Sequence, residues 1–148
     1  MPVDFRDAAD RHWTDSWYLS NNNRLPNADH LLGLAAECAL KAIMLGLGML
    51  LRTDGAPDEK GHRVHINELW DEFITFAQKR NGTHYAAMLS GNPNPFSDWN
   101  INQRYNHRTQ FNEPLVTNHR TATKAVMKVL QEFILREEQH EPADADSV

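Results

Sequence analysis

The 148-residue chain holds one cysteine, Cys38, so an intramolecular disulfide framework and a multi-cysteine zinc site are both excluded. There is no Gly-x-Gly-x-x-Gly loop, no Walker loop and no Gly-x-Ser-x-Gly elbow. Dinucleotide, nucleoside-triphosphate and serine-hydrolase chemistry in their common forms therefore have no sequence support. The N-terminal stretch Met1-Pro2-Val3-Asp4-Phe5-Arg6-Asp7 lacks a basic segment followed by an apolar run, so no secretory signal is expected and a cytoplasmic location is the default. Residues 31–51 are interrupted by only two charges, Glu37 and Lys41. Each would cost about 2.5–3.5 kcal/mol at the centre of a bilayer, so a buried bundle helix is expected here and no membrane partner.

The net charge of -5 is unevenly placed. Glu137, Glu138, Glu141, Asp144 and Asp146 are acidic with no base among them, and residues 1–136 carry as many acids as bases. One domain over 1–136 is expected, followed by an acidic, disordered tail over 137–148 that could fold back onto a basic surface. Within the neutral body, the segment from Arg104 to Arg136 has six Lys or Arg against Glu113 and Glu132, a local excess of +4.

Periodicity predicts helices over about 4–19, 28–51, 66–79 and 113–138, with a short one over 83–90 and no strand: an all-α, compact up-and-down bundle. Asn27 is the expected N-cap of the second helix, and Pro114 suits the first turn of the last. Residues 91–103 form an irregular crossover anchored by Phe96, Trp99 and Ile101. His119 falls on the inward stripe of the last helix with Leu115, Ala122, Val126, Val129, Leu130 and Phe133.

Eight histidines are many for this length, but His62 and His65 lack further ligands, so no metal site is expected. They read as a solvated loop before the third helix. Cys38, among alanines and leucines, reads as buried and inert. Glu37 and Lys41, at i and i+4 in the most apolar helix, must be paired or line a cleft, with an arginine of the last helix as a further partner. The densest polar cluster is Trp99-Asn100-Ile101-Asn102-Gln103-Arg104-Tyr105-Asn106-His107-Arg108. Its arginines, aromatics and amides, continued by the stripe Arg120, Lys124 and Lys128, suit phosphate contact and base stacking. An exposed basic face with an aromatic anchor explains the same residues equally well.

The run Ala35-Ala36-Glu37-Cys38-Ala39-Leu40-Lys41-Ala42 resembles the Ala-Ala-Glu-x-Ala-Leu-Lys-Ala helix of HEPN-domain proteins, and Gln103-Arg104-Tyr105 resembles their Arg-Tyr element before the last helix. The resemblance covers about residues 4–136. It implies a helical bundle, often a homodimer, that binds RNA or nucleotide, partners a small nucleotidyltransferase, or cleaves RNA as the toxin of a toxin–antitoxin pair. No cofactor is implied. The ribonuclease members carry Arg-x4–6-His. At the matching place this chain has Arg104-x2-His107, a departure that leaves enzymatic activity open. Arg6-x5-His12 and Arg24-x5-His30 have the spacing but lie elsewhere. On a helix Arg104 and His107 would share a face. The expectation is therefore a binding or partner module contacting phosphate through Arg104, Tyr105, Arg108, Arg120, Lys124 and Lys128. The alternatives are a metal-independent ribonuclease using Arg104 and His107, and a non-catalytic interaction domain.

Overall fold

A computed structural model describes residues 2–140. Five α-helices follow in order: α1 (Phe5–Asn21), α2 (Leu25–Gly46), α3 (Ile66–Lys79), α4 (Thr83–Leu89) and α5 (Glu113–His140). Among the described residues there is no strand, only an isolated bridge between Leu51 and Pro57. The all-α bundle is as expected. No described helix is long and apolar enough to cross a membrane.

Helix α2 is the centre. It packs against α1, α3 and α5, while α4 rests on α3 and α5. Ala36, Ala39, Leu40, Ile43 and Met44 are fully buried along it, facing Leu69 and Phe73 of α3 and Val126 and Val129 of α5 in one core. Burying each Leu, Ile or Met contributes about 1.5–3 kcal/mol.

The boundaries differ from expectation in three places. Helix α2 begins at Leu25, with Arg24 at the capping position, so Asn27 lies inside the first turn. Pro26 permits this, because the first turn needs neither its missing N–H nor any φ other than its own. Helix α2 stops at Gly46 rather than 51, and Gly48 at φ 105 turns the chain away, leaving Leu50 exposed. Helix α5, capped by Asn112 Oδ1 accepting from Leu115 N at 2.9 Å, continues through Glu137 and Glu138 to His140. Residues 137–140, expected in the acidic tail, are thus helical. The rest of it, residues 141–148, lies outside the described residues.

Candidate functional site

Residues 30, 33, 37 and 41 of α2 recur at helical spacing and place His30, Gly33, Glu37 and Lys41 along one face. Glu37 and Lys41 are each 8% exposed and pair at 3.2 Å. The third partner is not an arginine of the last helix, as expected, but His65, whose Nδ1 lies 2.8 Å from the other carboxylate oxygen of Glu37. His65 occupies the N-cap position of α3, yet its side chain makes no capping bond, which leaves it free to reach α2. Its neighbour His62 also departs from the solvated reading: it is buried, edge-on to Phe76 at 5.2 Å.

Trp99 of the crossover lies flat on this face. Its indole covers Gly33 so closely that an added Cβ would sit 2.0 Å from Cε2. Its Nε1 donates to the Asp29 carbonyl at 3.0 Å. His30 stacks parallel to the same ring, centroids 6.1 Å apart, and His65 meets it tilted at 6.4 Å. Trp99 is therefore the wall against which two imidazoles are set.

Arg104 is the penultimate residue of a 3-10 turn over Ile101–Tyr105 that follows Trp99. Its guanidinium donates to the Ile101 carbonyl at 2.9 Å and lies over the Tyr105 ring, 4.6 Å from the centroid. The pKa of His30 is lowered, first by burial, then by the Arg104 charge and by His12 of α1. The pKa of His12 is lowered by burial and by Arg11, against weaker opposing pulls from Asp15 and Glu37. His12, His30, Glu37, His65 and Arg104 thus form one electrostatic neighbourhood, in which two imidazoles stay neutral near pH 7. Neutral imidazoles beside a fixed guanidinium suit proton transfer and phosphate contact.

A buried brace holds this surface in place. Asp29 and His119 are both fully buried. His119 Nδ1 lies 2.6 Å from Asp29 Oδ1, and its Nε2 lies 2.7 Å from Asp98 Oδ1. With a carboxylate oxygen at each ring nitrogen, both nitrogens donate and the ring is the imidazolium. Its pKa is raised accordingly: burial pulls it down, but the hydrogen bonds and charges of Asp29 and Asp98 outweigh that. Gln103 Nε2 donates to the second Asp29 oxygen at 2.7 Å. Helix α2, the crossover and α5 are thereby tied together directly behind Trp99.

The remaining expected residues are spread out. The 3-10 turn ends at Tyr105, and Asn106 and His107 are extended, so Arg104 and His107 do not share a helical face. His107 caps the next short turn, accepting from Thr109 N at 3.2 Å. Arg108 lines a small recess with Arg24 and Asn27. Arg120 is engaged by α1, donating to Ser20 Oγ at 2.8 Å with its guanidinium 5.1 Å from the Trp17 ring centroid. Lys124 and Lys128 are exposed on α5. Cys38 is half-buried, and burial pushes its thiol up to about 12, which keeps it protonated and inert. Among the described residues no cluster of His, Cys, Asp and Glu is arranged to hold a metal ion.

Sequence reasoning missed Asp29, Asp98 and Gln103 as a network, and His12 and His30 as neighbours. The signal for the network was His119, a polar residue on an apolar stripe, which needs a buried partner. No family model, curated protein or solved structure matches this chain.

Proposed function

We propose that the chain is a HEPN-like helical module that binds RNA or nucleotide phosphate where Arg104, His30 and His12 meet, acting as a dimer with a partner such as a nucleotidyltransferase. The observation that carries this reading is His30, stacked on Trp99, whose pKa is lowered by burial and by the charges of Arg104 and His12, on a surface held by Glu37 and His65. Arg108 with Arg24 and the exposed Lys124 and Lys128 offer further phosphate contacts. Tyr105, 76% exposed beneath the Arg104 guanidinium, offers a stacking face for a base. Fluorescence anisotropy with a labelled single-stranded RNA tests it. Binding that weakens with salt, and weakens further in Arg104→Ala and in Lys124→Glu/Lys128→Glu, supports the reading. Absence of binding at low salt contradicts it.

A second reading, a metal-independent ribonuclease, is favoured by one specific feature. Both Arg-x5-His stretches end at the histidines of this surface, His12 and His30. One neutral imidazole takes the 2′-hydroxyl proton, water protonates the leaving oxygen, and Arg104 stabilises the charge on phosphorus. RNA cleavage in excess chelator that is lost in His30→Ala, with RNA still bound, supports this reading. Intact RNA under those conditions leaves the binding module.

A further inference from the structure

A second cleft lies further along the α2 face that carries His30 and Glu37. It has a volume of about 330 Å³ and is lined by the start of α1, by Lys41 and by the loop before α3. Phe5, Pro57 and Val64 give it apolar walls, and Lys41, Asp54, Arg63 and His65 supply its charged and polar groups.

The charges of this cleft do not all cancel. Lys41 pairs with Glu37 at 3.2 Å, and Asp54 pairs with Arg52 at 3.2 Å. Arg63 has no carboxylate partner among the described residues. Its Nη1 donates instead to the carbonyls of Pro57 at 3.1 Å and Asp58 at 2.9 Å, which fix the guanidinium and leave its charge uncompensated. Its Nε and Nη2 make no bond among the described residues. A guanidinium held in advance loses little freedom when it takes an anion.

His65 joins this cleft to the Arg104 surface. Its Nδ1 donates to the Glu37 carboxylate, which can only accept, and its Nε2 has no partner among the described residues. The same ring meets Trp99, on which His30 is stacked. At a rise of about 1.5 Å per residue, Lys41 lies ~16 Å along α2 from His30. That span exceeds the reach of one nucleotide and suits a strand of several.

We infer that this cleft holds a second phosphate of the same RNA strand that Arg104 contacts, with the adjoining base against Phe5 and Pro57. This second contact rests on the phosphate-binding reading and narrows it: the ligand is a single strand several nucleotides long, and a mononucleotide engages only part of the surface. Arg63 takes the phosphate oxygens through its unused N–H groups, a charge-assisted contact that positions the strand without reading its sequence.

The test is competition, followed by fluorescence anisotropy, between a labelled oligoadenylate of about eight residues and either the unlabelled oligoadenylate or adenosine monophosphate. The monophosphate should bind about tenfold or more weakly. Arg63→Gln keeps a donor for the loop carbonyls and removes the charge. It should weaken oligoadenylate about fivefold, lower the slope of log affinity against log salt by about 0.7, and so shrink the preference over the monophosphate. In the ¹⁵N-labelled original chain, the Arg63 Nε–H resonance should shift on adding oligoadenylate, a readout that stands even if the variant fails to fold. Oligoadenylate binding that needs Arg104 but leaves the Arg63 resonance and the salt slope unmoved overturns the second site and keeps the phosphate reading. Equal affinity for the two ligands overturns it as well. No binding of either ligand at low salt overturns both.

Discussion

Residue by residue, the molecule depends most on one buried imidazole. His119 sits fully buried between two carboxylates, and losing Asp29 leaves the His119 Nδ1 and Gln103 Nε2 donors without acceptors in the interior. Asp29→Ala is expected to cost about 3–5 kcal/mol, read from urea unfolding midpoints. The pH dependence follows from directions alone. The pKa of His119 is raised above its ordinary 6.5, so its stabilisation is complete below pH 6.5 and is lost as pH rises through the folded value. His12 and His30 run the other way: their pKa values are lowered, so their contribution is complete above pH 6.5 and is lost as pH falls through the folded values. Unfolding curves of the original chain and His119→Gln should therefore lie furthest apart in mild acid and approach each other as pH rises. A gap that widens with pH contradicts the assignment. Little of this was legible beforehand. Residue type and stripe position mark His119 as an inward polar group, but its partners stand 90 and 21 residues away in sequence. No local pattern encodes that pairing.

At the level of elements, periodicity is a strong guide wherever a helix has one wet face. The span 66–79 expected for α3 is the span found, because Ile66, Leu69, Trp70, Phe73 and Ala77 repeat at helical spacing and are all buried. The start of α2 was less legible, because Asn27 is a good cap by type while Pro26 places the first turn ahead of it. The crossover was legible only as irregular backbone with apolar anchors. Phe96 and Trp99 do anchor it, but the use of Trp99 as a wall for His30 and His65 depends on the absence of a side chain at Gly33. That close approach can be tested. Gly33→Ala gains about 1 kcal/mol of helix propensity, yet its Cβ would lie 2.0 Å from the indole. Overpacking costs about 1–3 kcal/mol, and the Trp99 bond to the Asp29 carbonyl goes with it. Net destabilisation in thermal unfolding is expected, together with a disturbed His30 resonance. A more stable variant would show that the indole moves aside freely.

For the whole molecule, the net charge of -5 conceals a balanced body, in which arginine and lysine gather on the crossover and on α5. The long basic stripe anticipated from sequence is shorter in space, because Arg120 is held by Ser20 and Trp17 while Lys124 and Lys128 remain open to solvent. Homodimerisation remains part of the proposal. Sedimentation at micromolar concentration should give twice the 17.0 kDa chain mass, and a strict monomer would remove any composite site across a two-fold axis. The lowered pKa values of His12 and His30 add a sign to the phosphate reading. A bound phosphate favours their protonated forms, so RNA affinity should rise as pH falls from 8 to 6. The most direct measurement is anisotropy with single-stranded RNA at those two pH values, on the original chain and on Arg104→Ala. Tighter binding at pH 6, together with a clear loss of affinity in Arg104→Ala at both, is the predicted result. Affinity independent of pH and unchanged by Arg104→Ala would contradict a phosphate site at this surface.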